Sequence, residues 1–217
     1  MRGPLILPLL LLASCIPNSG RPSDVRPPER STQRPTAVPA KATLQCHIAL
    51  AEAGVKFRVL ADRQFENGCS AAGAVQLLDI GTPVTNLGAM TCPLADRFGR
   101  WVREAVQPAA EAEFGRRVAR IESFGTYACR SVNSRPGAKL SEHGRANAVD
   151  VAAFVLEGGR RVTVLAGWNG EDEEARRFLR TVHKGGCRRF SVGLGPDSDV
   201  YHRDHLHFDM GQGPYCR

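Results

Sequence analysis

From Pro93 to Val106 apolar side chains return at helical spacing, with Leu94, Phe98, Trp101, Val102, Ala105 and Val106 sharing one face. That period predicts a long amphipathic helix opening at Pro93, where a missing N–H costs nothing in the first turn. Pro108 should kink the helix or restart it before Ala109 to Phe114. Glu171 to His183 reads as another helix, with acidic residues first and Arg176, Arg177 and Arg180 later, the order that a helix dipole favours. Leu44 to Ala53 predicts a short helix ending at Gly54. Strands are expected over Val75–Ile80, Val118–Ser123, Asn147–Leu156 and Arg161–Leu165, the last two joined by a Gly-Gly hairpin at Glu157-Gly158-Gly159-Arg160. In His205 to Met210 polar and apolar residues alternate strictly. A strand there turns His205 and His207 to one face and sends Leu206, Phe208 and Met210 into the core.

The first residues follow different rules. Arg2 precedes an apolar run, Leu5 to Leu12, that is too short to span a bilayer, and residues 1–15 read as a leader. Leu12-Ala13-Ser14-Cys15 matches a bacterial lipobox, in which Cys15 becomes the lipidated N-terminus. Residues 16–42 are rich in Pro, Arg, Ser and Thr. They cannot offset their ordering entropy by burial and should form an extended, disordered tether of about 3.1 Å per residue. A single domain is expected over residues 43–217. The formal charge of +7 includes one unit in the leader and two net units in residues 16–40, which leaves +4 for residues 41–217. A modest positive field suits an anionic wall polymer, and no basic-aromatic motif points to nucleic acid.

The chemistry is concentrated in two stretches, Ser141-Glu-His-Gly-Arg-Ala-Asn-Ala-Val-Asp150 and His202-Arg-Asp-His-Leu-His207. Three of the six histidines fall within the second. Two imidazoles and a carboxylate suit a borderline-soft divalent metal, most often zinc. His143 and Asp150 are too far apart to share one strand face, so a loop should deliver His143 and the following strand Asp150. The element order then predicts an α+β fold: an antiparallel sheet carrying the metal site, helices packed on one side, and disulfide staples.

Those two stretches, together with Tyr127-Ala-Cys-Arg-Ser131, resemble the extensin-like C-terminal domain family of proteobacteria. His-x6-Asp followed by His-x-His is similar to the zinc peptidases that cut peptidoglycan stems, the D-Ala-D-Ala carboxypeptidases and murein endopeptidases. The resemblance covers roughly residues 43–217 and implies Zn²⁺ held by His143, Asp150 and His207, with His205 left to an outer position or to the substrate. It also implies an arginine near the substrate, which Arg130 supplies; Arg135 and Arg145 are weaker candidates. For the general base it points both to Asp204 and to His202. A carboxylate beside a metal-bound water needs little pKa adjustment, which favours Asp204, with His202 and His205 orienting or stabilising. Trp168 and Tyr201 are candidates for the cleft wall, and His47 and His183 for structural roles.

Of seven cysteines, Cys15 belongs to the lipobox, and six remain. An even number without a C-x-x-C pair in an exported chain predicts three disulfides rather than a structural zinc. The expected pairing is Cys46–Cys69, Cys92–Cys129 and Cys187–Cys216, the last stapling the C-terminus beside the metal strand.

The leading expectation is a zinc peptidase, carboxypeptidase or endopeptidase, acting as a monomer on peptidoglycan stem or cross-link peptides. It would work from the periplasmic face of the outer membrane, held by its lipid. An iron(II) oxygenase shares the two-His, one-carboxylate set but generally presents His-x-Asp. A non-catalytic peptidoglycan-binding lipoprotein on a peptidase fold is the remaining alternative.

Overall fold

A computed structural model describes residues 40–217. The leader, Cys15 and all but the end of the tether lie outside them. Helix α1 (Ala40–Glu52) begins ahead of residue 43 and leads into β1 (Lys56–Val59), β2 (Arg63–Gln64), β3 (Ser70–Ala71), β4 (Ala74–Asp79) and β5 (Met90–Thr91). A helical run follows: α2 (Cys92–Trp101), a π turn (Val102–Val106) and α3 (Gln107–Phe114). Next come β6 (Val118–Gly125), a 3₁₀ turn (Glu142–Arg145), β7 (Ala148–Leu156), β8 (Arg161–Thr163) and the short helix α4 (Val164–Gly167). The chain ends with α5 (Glu173–Cys187), β9 (Val192–Leu194), β10 (Leu206–Asp209) and β11 (Tyr215–Cys216). No helix among the described residues is long and apolar enough to cross a membrane.

The main sheet has the order β11-β9-β10-β7-β6, and β8 extends the β10 side of β7. Its pairs are antiparallel except β11 with β9, which run parallel. Strand β7 is central and buried over nearly its whole length, as its run of Ala, Val, Phe and Leu requires. An extra residue of β7 between Val151 and Ala153, opposite Glu122 and Ser123, makes a bulge. It switches the core-facing positions from Val149 and Val151 to Phe154 and Leu156. A smaller sheet, β1-β4-β5, lies beside α1 and α2.

Helices cover one face of the main sheet. Trp101 of α2 meets Phe154 of β7 and Phe208 of β10 at ring-centroid distances of 6.2 and 5.1 Å, and Phe178 of α5 meets Phe154 edge-on at 5.0 Å. Each such ring contributes roughly 1.5–3 kcal/mol by burial. The indole N–H of Trp101 is satisfied by the Val182 carbonyl at 2.9 Å. At Gly186 the α5 backbone rides on Phe208, where a Cβ would fall 2.2 Å from the ring; only glycine permits this approach. The kink expected at Pro108 takes the form of the π turn. The Gln107 N–H bonds to the Val102 carbonyl, five residues back, and the widened turn makes room for the proline ring one residue on.

Three disulfides form, but two of the expected pairings are wrong. The bridges are Cys46–Cys92, Cys69–Cys129 and Cys187–Cys216. Nearest-neighbour pairing failed because α1 packs against α2 and sets Cys46 on its first residue, Cys92. Cys69 precedes β3, which packs on the 3₁₀ turn, and Cys129 runs beside that same turn. Loops of this length each confer about 4 kcal/mol on the chain-entropy account. Non-reducing peptide mapping should recover these three linkages and no Cys46–Cys69 peptide. The Cys69→Ala/Cys129→Ala double variant should lose about 4 kcal/mol in denaturant titration.

Candidate metal centre

The register of two strands builds the site. His207 of β10 stands directly opposite Asp150 of β7, so side chains 57 positions apart share one face of the sheet. On β10, Leu206 and Phe208 enter the core while His207 and Asp209 face the other way, all four buried. Met210, just past the strand, is only partly buried against that core. The third member comes from the 3₁₀ turn. Ser141 caps the turn by accepting the His143 N–H, and Ala146 closes it in a left-handed conformation (φ 54°) that redirects the chain into β7. A Cβ at Gly144 would press to 2.8 Å from the Leu140 side chain and 3.3 Å from the Cys69 sulfur, so Leu140 would have to shift to admit one.

Donor atoms of three residues converge. His143 Nε2 lies 3.1 Å from Asp150 Oδ2 and 3.2 Å from His207 Nδ1, and His207 Nδ1 lies 2.8 Å from Asp150 Oδ1. The hydrogen-bond partners fix what these atoms are. His143 Nδ1–H donates to the Thr126 carbonyl at 2.7 Å, which leaves Nε2 as a lone pair in the neutral ring. His207 stands between two carboxylates, with Nε2 2.9 Å from Asp209 and Nδ1 2.8 Å from Asp150; when Nε2–H donates to Asp209 in the neutral ring, Nδ1 is left as a lone pair. In that neutral form two imidazole lone pairs and a carboxylate aim at one point, a set that could hold a metal ion. A tetrahedral zinc with bonds of about 2.0–2.2 Å asks for donors about 3.3–3.5 Å apart, so the three side chains, now 2.8–3.2 Å apart, would part slightly around an ion. The carboxylate and carbonyl behind the histidines supply the outer hydrogen bonds that metal-ligating imidazoles usually make.

Without a metal, protons fill the same role. Burial opposes charging His207, but the Asp150 and Asp209 carboxylates outweigh it and raise its pKa to about 9. Burial likewise opposes the Asp150 carboxylate, yet hydrogen bonds from His143 and His207 hold its pKa well below the usual range. The second potential cluster, His183 with Cys187 and Cys216, is not available to a metal because both sulfurs are joined in a disulfide.

The remaining candidates divide. Arg130 reaches within 3.7 Å of Asp150 Oδ2. His205 Nε2 lies 3.6 Å from Asp150 Oδ1, and its Nδ1–H donates to Asp204 at 2.9 Å. Asp204 thus stands behind His205. His202 is buried, its ring centroid 5.6 Å from that of His207, and its Nδ1–H donates to Asp199 at 2.8 Å. Burial lowers the His202 pKa against the opposing pull of Asp199. Tyr201 lines the cleft, whereas Trp168 is buried edge-on to His183 and donates to Asp197. Arg145 is spent on Glu142 at 3.1 Å, and Arg135 is not among the cleft-lining residues. His47 sits on α1 against Phe57. Sequence reasoning passed over Asp209, Asp199 and the Thr126 carbonyl. Alternation carried one step further, from His205 and His207 to Asp209, would have found the first.

A family model described as Extensin-like protein C-terminus matches residues 44–217. The chain belongs to this family. The matched span contains His143, Asp150, His207 and the three disulfides, and it begins within α1. Comparison with curated proteins and with solved structures finds no match.

The proton held at His207 has a measurable consequence. The unfolded side chain titrates near 6.5 and the folded one near 9, so between those values the native state binds the extra proton. Stability contributed by His207 is complete below pH 6.5 and is lost as pH rises through 9. The chelator-treated protein should lose on the order of 3 kcal/mol across that window. His207→Gln should flatten the profile in urea titrations, and an unchanged slope would remove the ion pair from the account.

Proposed function

We propose that this extensin-like domain is a zinc-dependent peptidase that hydrolyses peptidoglycan stem or cross-link peptides, on the end of a lipid-anchored tether in the periplasm. The observation that carries the reading is the convergence of two imidazole nitrogens and one carboxylate at the wall of an open cleft of about 890 Å³. His143 Nε2, an Asp150 carboxylate oxygen and His207 Nδ1 would hold the ion, with Thr126 and Asp209 fixing the two ring tautomers. A zinc ion bound there supplies a Lewis acid for the scissile carbonyl and brings the pKa of a coordinated water near neutrality.

The chain's own groups account for the proton and the charge. His205 Nε2 faces the cluster with a lone pair, because Nδ1 donates to Asp204, and it is placed to accept a proton from the attacking water and return it to the leaving amine. Asp204 acts through His205, holding the ring in that tautomer. The Arg130 guanidinium, half-exposed and near Asp150, is suited to the negative charge that develops on the carbonyl oxygen. His202 packs beside His205, with ring centroids 5.2 Å apart, and keeps its face of the cleft polar without adding charge.

Two sets of variants test the assignment. His207→Ala should abolish stoichiometric zinc in elemental analysis, while His205→Ala retains it; iron in place of zinc would favour oxygenase chemistry. With zinc retained, His205→Ala should lower turnover of purified sacculi by about 10²–10⁴-fold and Asp204→Asn by about 10²-fold. Fully active Asp204→Asn and His205→Ala variants alongside a dead, zinc-bound His202→Ala would pass the role to His202.

A further inference from the structure

Two clefts meet at the cluster, and their chemistry differs. Arg130, His143, Tyr201 and His205 line both. The wider, of about 890 Å³, continues past Lys139 and Arg145, and the narrower, of about 370 Å³, continues past Phe124 and Tyr127. Each is large enough to hold part of a ligand. In the wider arm the acids are already spent. Glu142 is bound by Arg145 and Asn147, and Asp209 by His207 and the Gly211 N–H. Lys139 has no carboxylate partner among the described residues. The narrower arm offers aromatic surface, with Phe124 57 % exposed, and its one carboxylate apart from Asp150, Asp204, is engaged by His205.

We infer that the substrate continues on both sides of the scissile bond, with a carboxylate-bearing residue in the wider arm and an uncharged one in the narrower, which makes the domain an endopeptidase. This rests on the peptidase reading above. An exopeptidase that removes a C-terminal residue needs a short pocket closed by a cation against the terminal carboxylate. Here the cation nearest the cluster, Arg130, lines both arms and so stands at their junction, where it closes neither. Hydrolysis breaks one internal amide C–N bond; the water oxygen goes to the acyl carbon and a proton to the amine. The unpartnered Lys139 gives the acidic residue a charge-assisted contact that a neutral residue cannot make.

The test uses the zinc-loaded full chain and three defined muropeptides: a pentapeptide monomer, a cross-linked dimer, and the same dimer with its carboxylates amidated. Products are identified by mass spectrometry. The inference predicts cuts only at internal bonds and no free C-terminal amino acid from the monomer. Amidation, or Lys139→Glu acting on the unmodified dimer, should raise KM about tenfold with kcat unchanged. Because Lys139 is exposed, its replacement leaves the fold intact. Release of a single terminal residue, or equal KM for the amidated dimer, overturns the inference and leaves the peptidase reading standing. No hydrolysis of any of the three overturns both.

Discussion

The register between β7 and β10 is the constraint on which the site depends. It sets His207 against Asp150 at the centre of the main sheet, and a slip of one residue would exchange His207 for Leu206 or Phe208 and turn the core outward. The aromatic packing on the opposite face holds that register. Phe208 is pinned among Trp101, Phe190 and the bare backbone of Gly186, so the strand cannot slide without losing those contacts. Core and site are thus two faces of one four-residue strand, and the burial of Phe208 is what makes the position of His207 definite.

Around that fixed pair the protein controls protons by backing each histidine with an acceptor. Thr126 behind His143, Asp209 behind His207 and Asp204 behind His205 each take one ring N–H and turn the other nitrogen toward the same small volume. Asp204 lies nearer solvent than Asp209, which suits the proton transfer proposed for His205. The Cys69–Cys129 bridge belongs to the same arrangement. It fixes the segment between Thr126 and Arg130 beside Gly144, so that the carbonyl behind His143 and the guanidinium near Asp150 are held by one covalent anchor.

What could be read from the sequence was what local spacing encodes. Helical periodicity showed the run from Pro93, strict alternation showed the strand at His207, and His-x6-Asp with His-x-His marked the residues the fold brings together. Long-range packing left no such mark. The pairing of Cys46 with Cys92 follows from α1 lying on α2, and α1 has a weak apolar face with Leu44 and Ile48 exposed. The carbonyl of Thr126 could not be found because a backbone oxygen has no identity in a sequence. Asp209 is legible by alternation, one step beyond His207, but an acidic residue at a strand end is too common to stand out beside a histidine pair. The short strands β5, β9 and β11 are of two or three residues, too brief for any period to register.

The central claim is that one divalent ion is bound through His143 Nε2, Asp150 and His207 Nδ1, with Asp209 on the far side of the His207 ring. Anomalous diffraction at the zinc edge from zinc-soaked crystals tests it most directly. The account predicts a single strong peak about 2.0–2.2 Å from those three atoms. A peak on His207 Nε2, a peak at another group of residues, or none at full zinc loading would contradict it.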